Sequence, residues 1–232
     1  MEAYVIGLSK ISTSKQSAER VIADLQKFGI KAHFWEGTYG NKAVEIFDKE
    51  KRQLQPISFK GNPVDDDYIK SASRPGVMGC FHSHYRLWQK CKSLDEPILI
   101  FEDDVLFERG FIPVEWNDVL LVATGKKVHE ADYYKEKLYN PSGTAEAVRF
   151  KGKVMPGAVG YALSPQGANK LVKHYKHYYL PADNAMNMNV VDLQCHNYLM
   201  GRAATEIDGK KSLTKTGMWA KMPKQSSSKT RL

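Results

Sequence analysis

The run Pro97-Ile98-Leu99-Ile100-Phe101-Glu102-Asp103-Asp104-Val105 sets three carboxylates directly behind a short apolar stretch. Adjacent acids in a half-buried place repel one another unless a cation neutralises them. Hard oxygen donors with an open coordination sphere suit Mg2+ or Mn2+ held partly by substrate phosphates. Residues two apart on a strand point the same way, so Glu102 and Asp104 are expected to share one ion while Asp103 faces another direction. Acidic pairs at strand ends also serve phosphatases, nucleases and response-regulator receivers. The pattern therefore indicates divalent-metal chemistry on a phosphate-bearing substrate, not one particular reaction.

A second candidate is Asp183 in Leu180-Pro181-Ala182-Asp183-Asn184. The preceding proline favours an extended approach, which leaves Asp183 either as a general base or as the cap of a helix over 184–190. Asp192 and His196 lie four apart and share a face if their segment is helical, as metal ligands or as a surface pair. His84 falls on the apolar stripe of a helix over 74–92, with Val77, Cys80, Phe81, Leu87, Trp88 and Cys91. It is expected to be a hydrogen-bonded core residue or a support for the acidic strand end, with His82 pointing elsewhere. Asp65-Asp66-Asp67 has no strand before it and reads as a solvated turn. Cys80, Cys91 and Cys195 are too scattered for a disulfide framework or a CxxC metal site.

The elements that must position these residues are legible in part. Tyr4 to Leu8 reads as a strand, and Ser12-Thr13-Ser14 offers capping hydroxyls for a helix. Ala18, Val21, Ile22, Leu25 and Phe28 give that helix its apolar face, Gly29 ends it, and Ile30 to Trp35 resumes as a parallel strand. This βαβ unit is Rossmann-like, but without GxGxxG a dinucleotide is not expected. A helix through Val44, Phe47 and Leu54 follows. Ile98 to Phe101 and Val119 to Val122 read as strands buried on both faces. Strands over 148–155 and 158–163 then precede a helix capped by Ser164 with Pro165 at its first position. Ligands bind outside the carboxyl ends of strands in open α/β sheets, which is where Glu102 to Asp104 fall. Residues 125–147 read as a long surface loop.

The 232 residues, with 42% hydrophobic content, fit one domain over 1–220 with a real core, followed by a basic, flexible tail over 221–232. No apolar run is long enough to span a membrane, and Met1 to Leu8 reads as a strand, not a signal peptide. A cytoplasmic protein with reduced thiols is expected. The net charge of +8 admits three partner classes: nucleic acid, an anionic membrane surface touched peripherally, or an anionic small substrate.

Gly76-Val77-Met78-Gly79-Cys80-Phe81-His82-Ser83-His84-Tyr85-Arg86-Leu87-Trp88, followed by the strand ending in Glu102-Asp103-Asp104, resembles glycosyltransferase family 25. That family comprises lipooligosaccharide galactosyltransferases and collagen-glycosylating relatives. The opening βαβ with Glu36-Gly37-Thr38-Tyr39-Gly40, Trp116 to Leu121, Gly160 to Ser164 and Pro181-Ala182-Asp183 extend the likeness over most of residues 4–215. Two departures stand out: His82 replaces a usually apolar residue, and residues 125–147 do not match.

The resemblance implies a single GT-A-type, Rossmann-like α/β domain with a mixed, mostly parallel sheet flanked by helices. It implies transfer of a sugar, galactose or a related hexose, from a UDP-sugar to a hydroxyl of a glycan or lipid-linked acceptor, with inversion. Glu102 and Asp104 would hold Mn2+ or Mg2+, and Asp103 would contact the ribose or donor sugar. Ile6, Leu8, Thr38 and Tyr39 would bind base and ribose, and Asp183 would be the base. Lys211 and Lys215 would screen the diphosphate. On this reading nucleic acid is not an expected partner. Metal-dependent hydrolysis of a nucleotide-sugar and a non-catalytic basic binding protein are the alternatives.

Overall fold

The computed structural model describes residues 1–57, 63–125, 143–149, 154, 155 and 157–203. Parallel strands β1 (Glu2–Gly7) and β2 (Ala32–Glu36) are joined by helix α1 (Ser12–Lys27). Gly29 leaves the helix at φ +73°, a conformation that favours glycine. The expected capping hydroxyls do not cap: Ile11 occupies that position without a side-chain bond, and Ser14 is committed to the strand ends instead. Helix α2 (Gly40–Glu50) stops short of Leu54 because Lys51 turns left-handed at φ 52°. Leu54 belongs to β3 (Gln53–Leu54), which pairs with β9 (Tyr178–Tyr179).

Asp65 is more than a solvated turn. Its carboxylate accepts from Tyr68 N at 2.7 Å and caps α3 (Asp66–Ala72), where Asp66 and Asp67 complement the helix dipole. Helix α4 (Pro75–Leu94) opens with proline at its first position. Then follow β4 (Ile98–Glu102), β5 (Val105–Phe107), β6 (Val119–Thr124), β7 (Ala147–Arg149) and β8 (Gly160–Leu163). Helix α5 (Pro165–His174) is capped by Ser164 as expected, its Oγ accepting from Gly167 N at 3.0 Å. The short α6 (Ala182–Ala185), β10 (Leu193–His196) and β11 (Gly201–Ala203) complete the described chain.

The main sheet runs β2-β1-β4-β8-β6-β10-β7, with β11 and β5 attached beside β6. Six of its nine strands point one way; β5, β7 and β8 run against them. This is the mixed, mostly parallel sheet anticipated from the sequence. Side chains alternate across it, so Ile98 and Ile100 pack towards α4 and α5 while Leu99 and Phe101 pack towards α1. Helices cover both faces, which is why β4 reads as an unbroken apolar run.

Two local expectations fail. No helix runs over 184–190, since α6 ends at Ala185. Asp192 and His196 share no helix face, because His196 ends a strand. His196 bonds Ile112 O and Asp192 bonds Asn117, so they form no joint site. The strand expected over 148–155 is described only as β7, with 150–153 outside the described residues. Residues 126–142, Lys211, Lys215 and the tail also lie outside them. Among the described residues no helix is long and apolar enough to cross a membrane.

Candidate functional site

β1 sits between β2 and β4, parallel to both, and Ile6 stands opposite Glu102. The chain leaves β1 towards β2 on one side and meets β4 on the other. Their carboxyl ends therefore open a crevice of the kind that binds ligands in such sheets. Three segments meet there: residues 8–11 after β1, residues 37–39 after β2, and Asp103 and Asp104 after β4.

The first two are laced together by backbone donors. Gly37 N bonds Gly7 O at 2.8 Å, Ser9 N bonds Glu36 Oε1 at 3.2 Å, and Lys10 N donates to the Tyr39 hydroxyl at 2.7 Å. Leu8 N donates to Ser14 Oγ at 3.0 Å, and the Ser14 hydroxyl donates to Asp103 Oδ2. One serine in the first turn of α1 thus ties the end of β1 to the end of β4. Leu8 and Thr38 are buried, Ile6 is partly buried against the core, and Tyr39 is half-buried over the residue 8–11 segment.

Helix α4 supplies the back wall, and its glycine-cysteine-histidine-serine pattern has a reason at each position. A Cβ on Gly79 would lie 2.5 Å from Thr38 O, so only glycine lets the loop after β2 rest on the helix. Ser83 Oγ accepts from Thr38 N at 2.8 Å and donates to Gly79 O at 2.7 Å. His82 points elsewhere than His84, as expected, and is nonetheless buried. Its Nδ1 lies 2.8 Å from Thr38 Oγ1, and burial holds its pKa down to about 4, so the ring is neutral.

One turn further along, the same helix reaches Glu102. Cys80 Sγ donates to Glu102 Oε1 at 3.6 Å, and His84 Nε2 lies 3.4 Å from that oxygen. His84 Nδ1 is 2.8 Å from the Tyr161 hydroxyl, which accepts from Trp88 Nε1 at 2.9 Å. With the Tyr161 proton given to Nδ1, Nε2 carries the ring proton towards Glu102, and each donor in the chain is used. His84, Trp88 and Tyr161 are fully buried, so the network is sealed on the side away from the cleft.

The strand ends at Glu102, so strict alternation does not govern the acids beyond it; Asp103 and Asp104 form the turn into β5. Asp103 turns towards Ser14. Burial raises its pKa to about 6 against the lowering effect of that hydrogen bond, and Glu102 raises it further. Asp183, on α6, lies within range of the Glu102 charge. Burial pushes its carboxyl up from the ordinary range, and the negative charge of Glu102 adds to the shift. The Cys80 thiol is pushed up by burial and by the charges of Glu102, Asp183 and Asp104. The negative charges of Glu102, Asp183 and Asp104 therefore all disfavour a free Cys80 thiolate. Among the described residues no lysine or arginine forms an ion pair with Glu102 or Asp183.

The family described as glycosyltransferase family 25 (LPS biosynthesis protein) matches residues 1–186. The chain belongs to glycosyltransferase family 25. The lipooligosaccharide biosynthesis protein lic2B of Haemophilus influenzae is 30% identical over 147 residues, covering 58% of this chain and 54% of that protein. A glycosyltransferase 25 family member of Drosophila pseudoobscura pseudoobscura is 33% identical, over 73% of this chain and 26% of its own length. A relative in Rattus norvegicus, named probable inactive glycosyltransferase 25 family member 3, is 30% identical over 78% of this chain and 32% of its own length. The chain therefore spans about half of the bacterial relative and a third or less of the animal ones.

Glu102, Asp103 and Asp104 stand together at the end of β4, and Asp183 comes from α6, near enough for the charge of Glu102 to act on it. The sequence reading missed the parts of Tyr161 and Ser14, which depend on contacts 77 and 89 residues away in sequence. Local patterns include both residues, but none gives these partners.

Proposed function

We propose that this family 25 chain is a metal-dependent glycosyltransferase that moves a hexose from a UDP-sugar to an acceptor hydroxyl, with inversion. The observation that carries the reading is the placement of Glu102 and the Asp103-Asp104 turn at the carboxyl end of β4, beside the end of β1, with no lysine or arginine ion-paired to Glu102 among the described residues. Carboxylate oxygens suit Mn2+ or Mg2+, and Glu102 and Asp104 would hold the ion. Such an ion, when bound, stabilises the negative charge that builds on a departing diphosphate.

The chain's own groups account for the rest. The segments at residues 8–11 and 37–39 receive the base and ribose, with Ile6, Leu8, Thr38 and Tyr39 shaping that wall. Asp103 stands at the ribose side, held by Ser14. Asp183 takes the proton of the acceptor hydroxyl at its carboxylate, whose proton affinity is raised by burial and by the charge of Glu102. The acceptor is a glycan or lipid-linked glycan, a reading supported by the name of the lic2B relative. The chain acts on the cytoplasmic side, with its basic surface near anionic lipid.

Incubation with Mn2+ and a panel of UDP-hexoses, followed by UDP release with and without glycan acceptors, tests the reaction. Acceptor-dependent UDP release supports it, and acceptor-independent release indicates nucleotide-sugar hydrolysis instead. Because several relatives are named inactive or probably inactive, Mn2+-dependent UDP binding without any release would reduce the chain to a donor-binding protein.

A further inference from the structure

We propose that Cys80, His84 and Glu102 form a three-ligand site for a borderline divalent cation, Zn2+ in particular, with its fourth position open to the cleft. The inference goes beyond the transferase reading and does not need it. Cys80 and His84 lie four apart on α4 and so stack on one face of the helix. Glu102 meets them from the end of β4. Their ligand atoms all fall within 4.8 Å of one another.

The two separations to Glu102 match the coordination geometry. Zinc bonds of about 2.3 Å to sulfur and about 2.0–2.2 Å to nitrogen and oxygen place tetrahedral ligand atoms about 3.4–3.6 Å apart. Cys80 Sγ is 3.6 Å from Glu102 Oε1, and His84 Nε2 is 3.4 Å from the same oxygen. Two side-chain protons converge on one carboxylate oxygen, and a single cation seated between the three atoms replaces both. The thiol proton leaves to solvent. The imidazole stays neutral, with its proton moved to Nδ1.

An independent feature points the same way. Metal-bound histidines usually direct their second ring nitrogen at a fixed oxygen that orients the ring. Here the Tyr161 hydroxyl, 2.8 Å from Nδ1 and itself pinned by Trp88, supplies it in a fully buried setting. Sulfur and imidazole favour zinc or cobalt over manganese and magnesium, so this set differs in kind from the all-oxygen pair Glu102 and Asp104. Glu102 is common to both and partly exposed, which gives a cation access from the crevice.

The test is a Co2+ titration of the chelator-treated, reduced full chain without nucleotide. We expect tetrahedral visible bands and a near-ultraviolet thiolate-to-cobalt band that saturate at one equivalent and vanish on adding Zn2+. Cys80→Ser should lose the thiolate band, and His84→Gln should weaken binding at least tenfold. Absence of the thiolate band in the wild type overturns the site. So does its persistence in Cys80→Ser, which would assign it to Cys91 or Cys195. If Cys80→Ser does not fold, alkylation of the wild type with mass-spectrometric mapping decides. Zn2+ should protect Cys80, and equal labelling with and without Zn2+ refutes the proposal. None of these readouts involves sugar transfer, so failure of the transferase reading leaves them intact.

Discussion

His84 presents Nε2 to Glu102 Oε1 at 3.4 Å, and the orientation of that ring is set from behind by Tyr161. A carboxylate whose first oxygen is engaged by two donors has only its second oxygen left to turn into the cleft. The buried side of α4 therefore fixes how the acidic strand end meets a ligand.

Tyr161→Phe should disturb Glu102 without touching the cleft. It removes the acceptor for Trp88 Nε1–H and the partner of His84 Nδ1, at about 1–3 kcal/mol for each buried group left unpaired. We expect a lower Tm together with weaker Mn2+-supported UDP binding at temperatures where the variant is fully folded. Unchanged UDP affinity in folded Tyr161→Phe would show that the network serves stability alone.

Asp183→Asn keeps the size of the side chain and removes the base. Transfer should fall by about 10²–10⁴-fold, while UDP affinity measured by calorimetry stays within error of wild type. A wild-type transfer rate would remove Asp183 from the chemistry. The burial and the Glu102 charge that raise its carboxyl would then need another purpose.

Asp104→Ala should uncouple metal from nucleotide. In the wild type, Mn2+ is expected to strengthen UDP binding and UDP to raise Tm further in its presence, since ligands of the native state stabilise it. In the variant the Mn2+ increment should vanish while the Tm without ligand changes little. Equal increments in both proteins would take Asp104 out of the cation's reach.

Gly79→Ala probes the seating of the loop after β2. The added methyl would meet the backbone oxygen of Thr38 at 2.5 Å and Gly40 N at 3.2 Å. Neither neighbour is the end of a flexible side chain, so the loop must lift. Overpacking of this kind costs about 1–3 kcal/mol, and UDP affinity should drop as Thr38 and Tyr39 move. Unaltered affinity would place the base and ribose elsewhere.

How far the site could be read in advance follows from the range of each interaction. The β4 run and the Glu102–Asp104 triplet were readable because burial on both faces writes an unbroken apolar string. The α1 and α4 stripes were readable because helical spacing is local. The part of Ser14 was hidden: a hydroxyl at a helix start usually caps it, and only the approach of β4 gives it a better acceptor in Asp103. His82 escaped for the same reason. Spacing puts it off the apolar stripe, yet α2 and the loop after β2 cover that face and Thr38 supplies its partner. Asp192 and His196 misled because a four-residue interval carries meaning only in a helix, and β10 pairs with β6 and β7 there.

The last prediction concerns acid stability, and His196 decides its sign. The ring is fully buried. Its Nε2–H donates to Ile112 O at 2.8 Å, while Nδ1 accepts from Tyr198 N at 2.9 Å. A proton on Nδ1 would face that backbone N–H donor to donor. Burial lowers the folded pKa below its ordinary value of 6.5, against the raising effect of the Ile112 carbonyl. The unfolded chain therefore binds a proton at a pH where the native state refuses it. Stability from this group is complete above about pH 6.5 and is lost as the pH falls towards the depressed native value. His196→Gln should be less stable than wild type at pH 7.5, yet lose less Tm between pH 7.5 and pH 5. Parallel Tm-against-pH curves for the two proteins would mean that His196 titrates alike in both states, and that the acid sensitivity arises elsewhere.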